Sequence, residues 1–223
     1  MGYEILVALF LVVLVPLVVL GFIAFWMMTS RERAAIEDTW RSYALTHDRE
    51  YVPARGEWPN RTSPSVRWLK GDLRLQLSVV GVEANARTRL VAWPRGKLLG
   101  SFAVEPRNGR RTEAVHGIDN AAFVSAFAVT EKPAGLAARV LDDRAQRALL
   151  GFWQKDEIVL SYRRGKLVLE WPGRESNAAR MDEAARVMSE LARAVDDAFE
   201  NAGSSGKLAV ASETRPTSSA RPK

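Results

Sequence analysis

The sequence predicts an α+β chain: an N-terminal transmembrane helix, then one soluble domain in which a long C-terminal helix packs on an antiparallel sheet. Three observations carry this. Residues 5–28 contain no charged side chain, several segments between 66 and 171 alternate apolar and polar residues, and residues 177–201 show a single apolar helical face. Strands joined by tight turns pair antiparallel, and flanking helices then give an α+β arrangement.

Ile5 to Met28 reads ILVALFLVVLVPLVVLGFIAFWMM, with seventeen Leu, Ile, Val or Phe residues. At 1.5 Å per residue such a helix is about 36 Å long, enough for a hydrocarbon core of about 30 Å. Insertion of that many large apolar residues is favoured by roughly 5–10 kcal/mol. Pro16 near its middle is compatible with a membrane helix, and Trp26 falls where an aromatic ring meets headgroups. A cleaved signal peptide would need a basic start and small residues at its end. Met1–Glu4 has no Lys or Arg, and Phe25-Trp26-Met27-Met28 is bulky. Arg31, Arg33 and Arg41 follow the segment and no basic residue precedes it, so the domain is expected on the cytoplasmic side of an inner membrane. Gly21 has no small residue four positions away, so no tight helix-pairing motif is present and the oligomeric state stays open.

From residue 29 to about Asp48 the chain reads as a membrane-proximal helix, with Ile36, Trp40 and Tyr43 on one stripe. Pro53, Gly56, Pro59 and Pro64 mark residues 51–64 as a connection. Arg67-Trp68-Leu69, the turn Lys70-Gly71-Asp72, and the alternation of Leu73, Leu75, Leu77 and Val79 form a hairpin. Thr88–Trp93 and Lys97–Glu105 are further strand candidates, and Pro106–Gly117 is a polar loop. Asp119 is placed as the cap of a short helix holding Phe123 and Phe127, with Phe127–Val129 briefly extended. Pro133–Leu141 and a segment capped by Asp142 or Asp143 read as helices; Ile158–Tyr162 and Leu167–Trp171 flank a turn. Met181, Ala184, Ala185, Met188, Leu191, Ala192, Val195 and Phe199 then line one helix face. The division is therefore 1–28 transmembrane, 29–50 membrane-proximal helix, 51–201 domain, and 202–223 a polar tail expected to be disordered.

Lys plus Arg number 32 against 26 Asp plus Glu, a net charge of +6. A surplus of that size suits an anionic membrane surface and does not imply nucleic acid, which is not an expected partner. The absence of cysteine excludes disulfides, thiolate metal sites and cysteine nucleophiles. Only His47 and His116 are available as imidazole ligands, and nothing in the sequence brings them together, so no metal is expected. No G-x-S-x-G or G-x-G-x-x-G frame occurs. Gly203-Ser204-Ser205-Gly206-Lys207 lacks the first glycine and the terminal hydroxyl residue of a phosphate loop. Asp142-Asp143 and Asp196-Asp197 are helical neighbours about 100° apart, which reads as a helix start and a solvated surface rather than an acid–base pair. No catalytic residue and no cofactor are expected.

Two groups remain as candidate contacts. Arg107, Arg110 and Arg111 around Asn108-Gly109, with Arg31 and Arg33, suit phosphate headgroups or a ligand, although a solvated basic hairpin is the simpler reading of the first three. Trp58, between Gly56 and Pro59, is a loop aromatic of the kind that meets partners. Trp68, Trp93, Trp153 and Trp171 are expected to fill the core or cover a sheet face.

Pro53-Ala54-Arg55-Gly56-Glu57-Trp58-Pro59, and Gly117–Val129 with Phe123 and Phe127, resemble bacterial single-pass membrane-anchored proteins of unknown function. The resemblance extends to Leu149-Leu150, to Gly165-Lys166-Leu167-Val168-Leu169 and to the 177–201 helix, covering most of residues 30–200. Val124 departs from the acidic residue common after the first phenylalanine in that group. The resemblance implies an anchored domain and no activity. The functional expectation is a non-enzymatic, membrane-tethered interaction module with a protein partner; the alternative is a lipid- or small-ligand-binding domain at the membrane surface.

Overall fold

The computed structural model describes residues 2–56, 62–81, 85–107, 117–153 and 157–212, with backbone alone for 2–9, 11–13, 25–26, 28–33 and 203–212. The elements in chain order are α1 (Gly2–Thr46), β1 (Glu50–Val52), β2 (Ser65–Lys70), β3 (Leu73–Val80), β4 (Arg87–Trp93), β5 (Ser101–Pro106), α2 (Ala121–Ala126), β6 (Phe127–Lys132), α3 (Leu136–Val140), α4 (Asp143–Trp153), β7 (Val159–Arg163), β8 (Lys166–Pro172) and α5 (Ala178–Ser212).

The eight strands form one sheet in the order β1-β2-β3-β4-β8-β7-β5-β6. Every neighbouring pair is antiparallel. The β7–β8 turn has positive φ at both Arg164 (53°) and Gly165 (73°), the geometry that matches strand twist in a tight hairpin. Period-two alternation sends Leu75, Leu77, Leu90, Ala92, Leu167, Leu169, Trp171, Leu160 and Tyr162 to one buried face. Met181, Ala184, Met188, Leu191 and Val195 of α5 are buried against it. Trp40 and Tyr43 of α1 and Leu149 and Phe152 of α4 extend the same core. Each fully buried Leu or Phe stabilises the fold by about 1.5–3 kcal/mol, so this layer is the main source of stability. The predicted stripe of Ile36, Trp40 and Tyr43 is the part of α1 that packs on the domain.

Several expectations need correction. Asn120, not Asp119, caps α2: its Oδ1 accepts from the N–H groups of Ala122 and Phe123, because Asp119 stands one residue too early to face the first turn. The 51–64 connection begins with a strand, since β1 pairs with Ser65–Arg67 of β2. The strand expected from Lys97 starts at Ser101, after the bend at Gly100 (φ 123°). Asp196 is not merely solvated: it accepts from Gly96 N–H at 2.7 Å and ties the β4–β5 connection to α5. The α5 backbone continues past Asn201 to Ser212, so the segment expected to be a disordered tail is helical at its start; residues 213–223 lie outside the described residues. Most of the 106–117 loop lies outside them too.

The 5–28 segment lies wholly within α1. Among the described residues, no helix is long and apolar enough to cross a membrane. The run 14–24 of α1 carries no charged side chain. Leu17, Val18, Leu20 and Phe22 within it are largely exposed, Phe22 at 69%.

Candidate interaction surface on the free face of the sheet

The helices pack on one face of the sheet, and among the described residues no helix covers the other. That free face follows from the register. One line of residues crosses it through Arg74, paired with Trp93, and through Lys166, paired with Arg163, to Ser101, paired with Lys132. The next line holds Arg67, Gln76, Val91, Val168, Ser161, Ala103 and Thr130. A third holds Ser78, Arg89, Glu170 and Val159.

These lines differ in charge. In the third, Arg89 Nε lies 2.6 Å from Glu170 Oε1, and Arg87 beyond it has its Nε 3.7 Å from Oε2, so the cations at that end are partnered. In the first, none of Arg74, Arg163, Lys166 and Lys132 has an acidic partner among the described residues. Trp93 stands half-exposed between two of them, with the Arg74 guanidinium 5.0 Å and Lys166 Nζ 5.9 Å from its ring centroid. Each such contact contributes about 0.5–1 kcal/mol at an exposed site and holds the indole upright on the sheet.

Where α1 ends, a cleft of about 870 Å³ opens beside this line, bordered by His47, Arg49, Arg67, Leu69, Lys70 and Arg74. Its wall is a junction of three elements. The Arg49 guanidinium lies 4.4 Å from the Tyr43 ring and 4.5 Å from the Trp68 ring, and its Nη2 donates to Asp182 Oδ1 at 2.9 Å. Tyr43 donates its hydroxyl to the same oxygen at 2.7 Å, and Arg49 Nη1 donates to that hydroxyl. His47 Nε2 is 3.7 Å from Asp182 Oδ2. Burial alone would raise the Asp182 carboxyl, but the bonds from Tyr43 and Arg49 outweigh it and hold it below the usual carboxylate range. Burial, then the bond to Asp182, push the Tyr43 phenol above its ordinary value. Facing the cleft, Arg67 has a buried Nε without a hydrogen-bond partner. A second cleft of about 710 Å³ continues over Arg55, Thr62, Ser65, Arg67 and Gln76.

The residues expected from sequence fall elsewhere. Arg107 lies past the end of β5 opposite the basic line; its Nη1 donates to Val124 O at 2.7 Å and its N–H to Ala126 O at 2.9 Å, bracing α2. Arg110, Arg111 and Trp58 lie outside the described residues, as do the side chains of Arg31 and Arg33 on α1. Of the strand tryptophans, Trp171 fills the core, Trp68 supports the junction, and Trp93 alone stands on the free face. Groups of His and carboxylates able to hold a metal are absent among the described residues.

No protein-family model matches the chain. No curated protein matches it either. Among solved structures, the chain is similar to the crystal structure of the mycobacterial trehalose monomycolate transport factor A, TtfA. The TM-score is 0.55 at 12% identity, with 72% of this chain and 94% of that chain covered. At that identity the likeness establishes a shared fold and nothing finer.

Proposed function

We propose that this protein is a non-enzymatic, membrane-tethered interaction module whose free sheet face receives a protein partner. The N-terminal half of α1 spans the membrane and the domain faces the cytoplasm, as the uncharged 5–28 segment and the arginines after it support. The observation that carries the reading is the division of the sheet into a closed face and an open one. On the closed face Trp40, Trp171, Tyr162, Phe123, Phe127 and Phe152 are fully buried, so large aromatic side chains fill the space between sheet and helices. What the domain offers is therefore a surface.

The test is photo-crosslinking in native membranes, with the reactive side chain at Val168 in the middle of the free face or at exposed Arg147 on α4. A single adduct of defined mass from Val168, and none from Arg147, is the expected outcome. Failure to obtain a defined adduct from Val168 would count against the module.

A second reading, a domain that binds a lipid or small ligand, is favoured by the structural neighbour being a named transport factor and by the cleft at the end of α1. Titration of the detergent-solubilised protein with a monomeric short-chain phospholipid should then quench Trp68 saturably. An unchanged spectrum sinks that reading.

A further inference from the structure

We infer that the partner is an acidic protein segment carrying apolar side chains, and that it docks on the basic end of the sheet around Trp93. This rests on the interaction-module reading and specifies its occupant.

Folding alone does not favour several of the charges at this end of the sheet. Arg163 and Lys166 are direct cross-strand partners, and like charges placed opposite one another destabilise a strand pair. Between them Arg164 occupies the left-handed region at φ 53°, where a β-carbon is strained and asparagine or glycine is the usual choice. Three cations among the four positions 163–166 of one hairpin tip therefore work against the hairpin. Lys70 and Arg74, at the corresponding end of β2 and β3, add to the same field and have no acidic partner among the described residues. Of the acidic groups nearby, Asp72 pairs with Arg95, and Glu131 accepts from Gly135 N–H at 2.7 Å and Ala137 N–H at 2.6 Å, while Asp48 and Glu50 line the cleft beside Lys70 and Arg74. An anionic partner would relieve this repulsion.

Shape and composition select the kind of anion. Leu69, 71% exposed, and Leu99, 91% exposed, are apolar side chains at the same end as Trp93. An aromatic anchor ringed by cations, with apolar contacts beside it, is how protein interfaces concentrate their binding energy. A single-stranded nucleic acid would instead need successive aromatic platforms, and among the described strand residues Trp93 is the one tryptophan on the free face. The anchoring membrane is also poorly placed. Trp40 on α1 donates to Glu175 O, beyond the far end of β8, whereas His47 and Asp48 reach the cleft beside Lys70 and Arg74. The helix thus runs along the sheet edge toward the basic end, and its apolar part projects from the opposite end. From Met28 to Thr46 the helix rises about 27 Å, several times the Debye length of about 8 Å at physiological ionic strength.

The experiment uses the full chain in nanodiscs of zwitterionic lipid. Its probes are a fluorescent peptide of alternating Glu and Leu, the same peptide with Gln for Glu, an oligothymidylate of equal charge, and vesicles of phosphatidylserine. The variants are Arg163→Glu with Lys166→Glu, Trp93→Ala, and, as an equal change of net charge at exposed α4 and α5 positions, Arg147→Glu with Arg186→Glu. The Glu peptide is expected to bind at least tenfold tighter than the other probes. The Arg163/Lys166 reversal and Trp93→Ala should each weaken it about tenfold or more, and the Arg147/Arg186 control less than threefold. Near-ultraviolet circular dichroism checks that each variant is folded; should Trp93→Ala unfold, Trp93→Leu replaces it. Equal binding of the Gln peptide, tighter binding of oligothymidylate or vesicles, or equal weakening by the control reversal overturns the inference. A Val168 crosslink that survives the Arg163/Lys166 reversal would leave the interaction module standing and remove only its acidic partner.

Discussion

Asp182 shows how few residues tie the end of α1 to the domain. Its Oδ1 accepts from Tyr43 of α1 and from Arg49, which is itself stacked on Tyr43 and Trp68. Because the folded carboxyl is held below its unfolded value of about 3.9, its contribution is complete above that pH and is lost as pH falls through the folded value. Asp182→Asn should therefore lower the thermal midpoint at pH 7 and remove part of the acid-induced loss of stability below about pH 4. The side chain is 42% exposed, so screening limits the effect to about 1 kcal/mol. An Asp182→Asn protein whose pH–stability curve overlays the parent's would refute the assignment. Tyr43 and Tyr162 carry the opposite sign. Burial raises both phenols, so their contribution is present below about pH 10 and is lost as pH rises through the folded values. Spectrophotometric titration should show these two phenols ionising only as near-ultraviolet dichroism collapses; ionisation of Tyr162 in an intact fold would contradict its burial, which outweighs the Leu98 N–H bond that favours the phenolate.

At the scale of elements, the connection between β4 and β5 depends on a close approach to α5. A β-carbon at Gly96 would meet Phe199 Cβ at 2.6 Å and the Asp196 Cα at 3.3 Å, while the Gly96 N–H binds Asp196. Gly96→Val should destabilise by about 1–3 kcal/mol through overpacking, read as a lower denaturation midpoint. Gly96→Val should cost less in a Phe199→Gly background, where that Cβ is absent, than in the parent, and an equal cost in both would mean that Phe199 is not what confines the glycine. Elements with strong periodicity were legible in the sequence: β3, the β7–β8 hairpin and the start of α5 stand where alternation and the helical stripe put them. Those decided by distant partners were not. β1 is three residues long and exists because β2 offers it an edge, so nothing within Glu50–Val52 announces it. The choice of Asn120 over Asp119 as a cap depended on which residue the chain turns toward α2, a fact of backbone angle rather than of residue type.

For the whole molecule, the charged surface was hidden in the sequence because it is built by register. Arg74, Trp93, Arg163 and Lys166 belong to four strands and are ordinary outward residues of each; only the order β3-β4-β8-β7 sets them in one line. The arginines dense in the sequence, Arg107, Arg110 and Arg111, drew attention through proximity along the chain, and Arg107 proves to brace α2. Orientation toward the cell is the property of the whole molecule that the sequence addresses most directly. Arg31, Arg33 and Arg41 follow the apolar segment, and in the proposed membrane-spanning arrangement translocating three arginines would be the costlier topology. A reporter active only in the cytoplasm, fused after Lys223, should be active, and one active only outside should be silent. Replacing Arg31, Arg33 and Arg41 with Gln, and adding three lysines before Tyr3, should shift that balance toward the outside. An external reporter active with the parent sequence would place the basic end of the sheet in the cell envelope, where the acidic partner would then have to be sought.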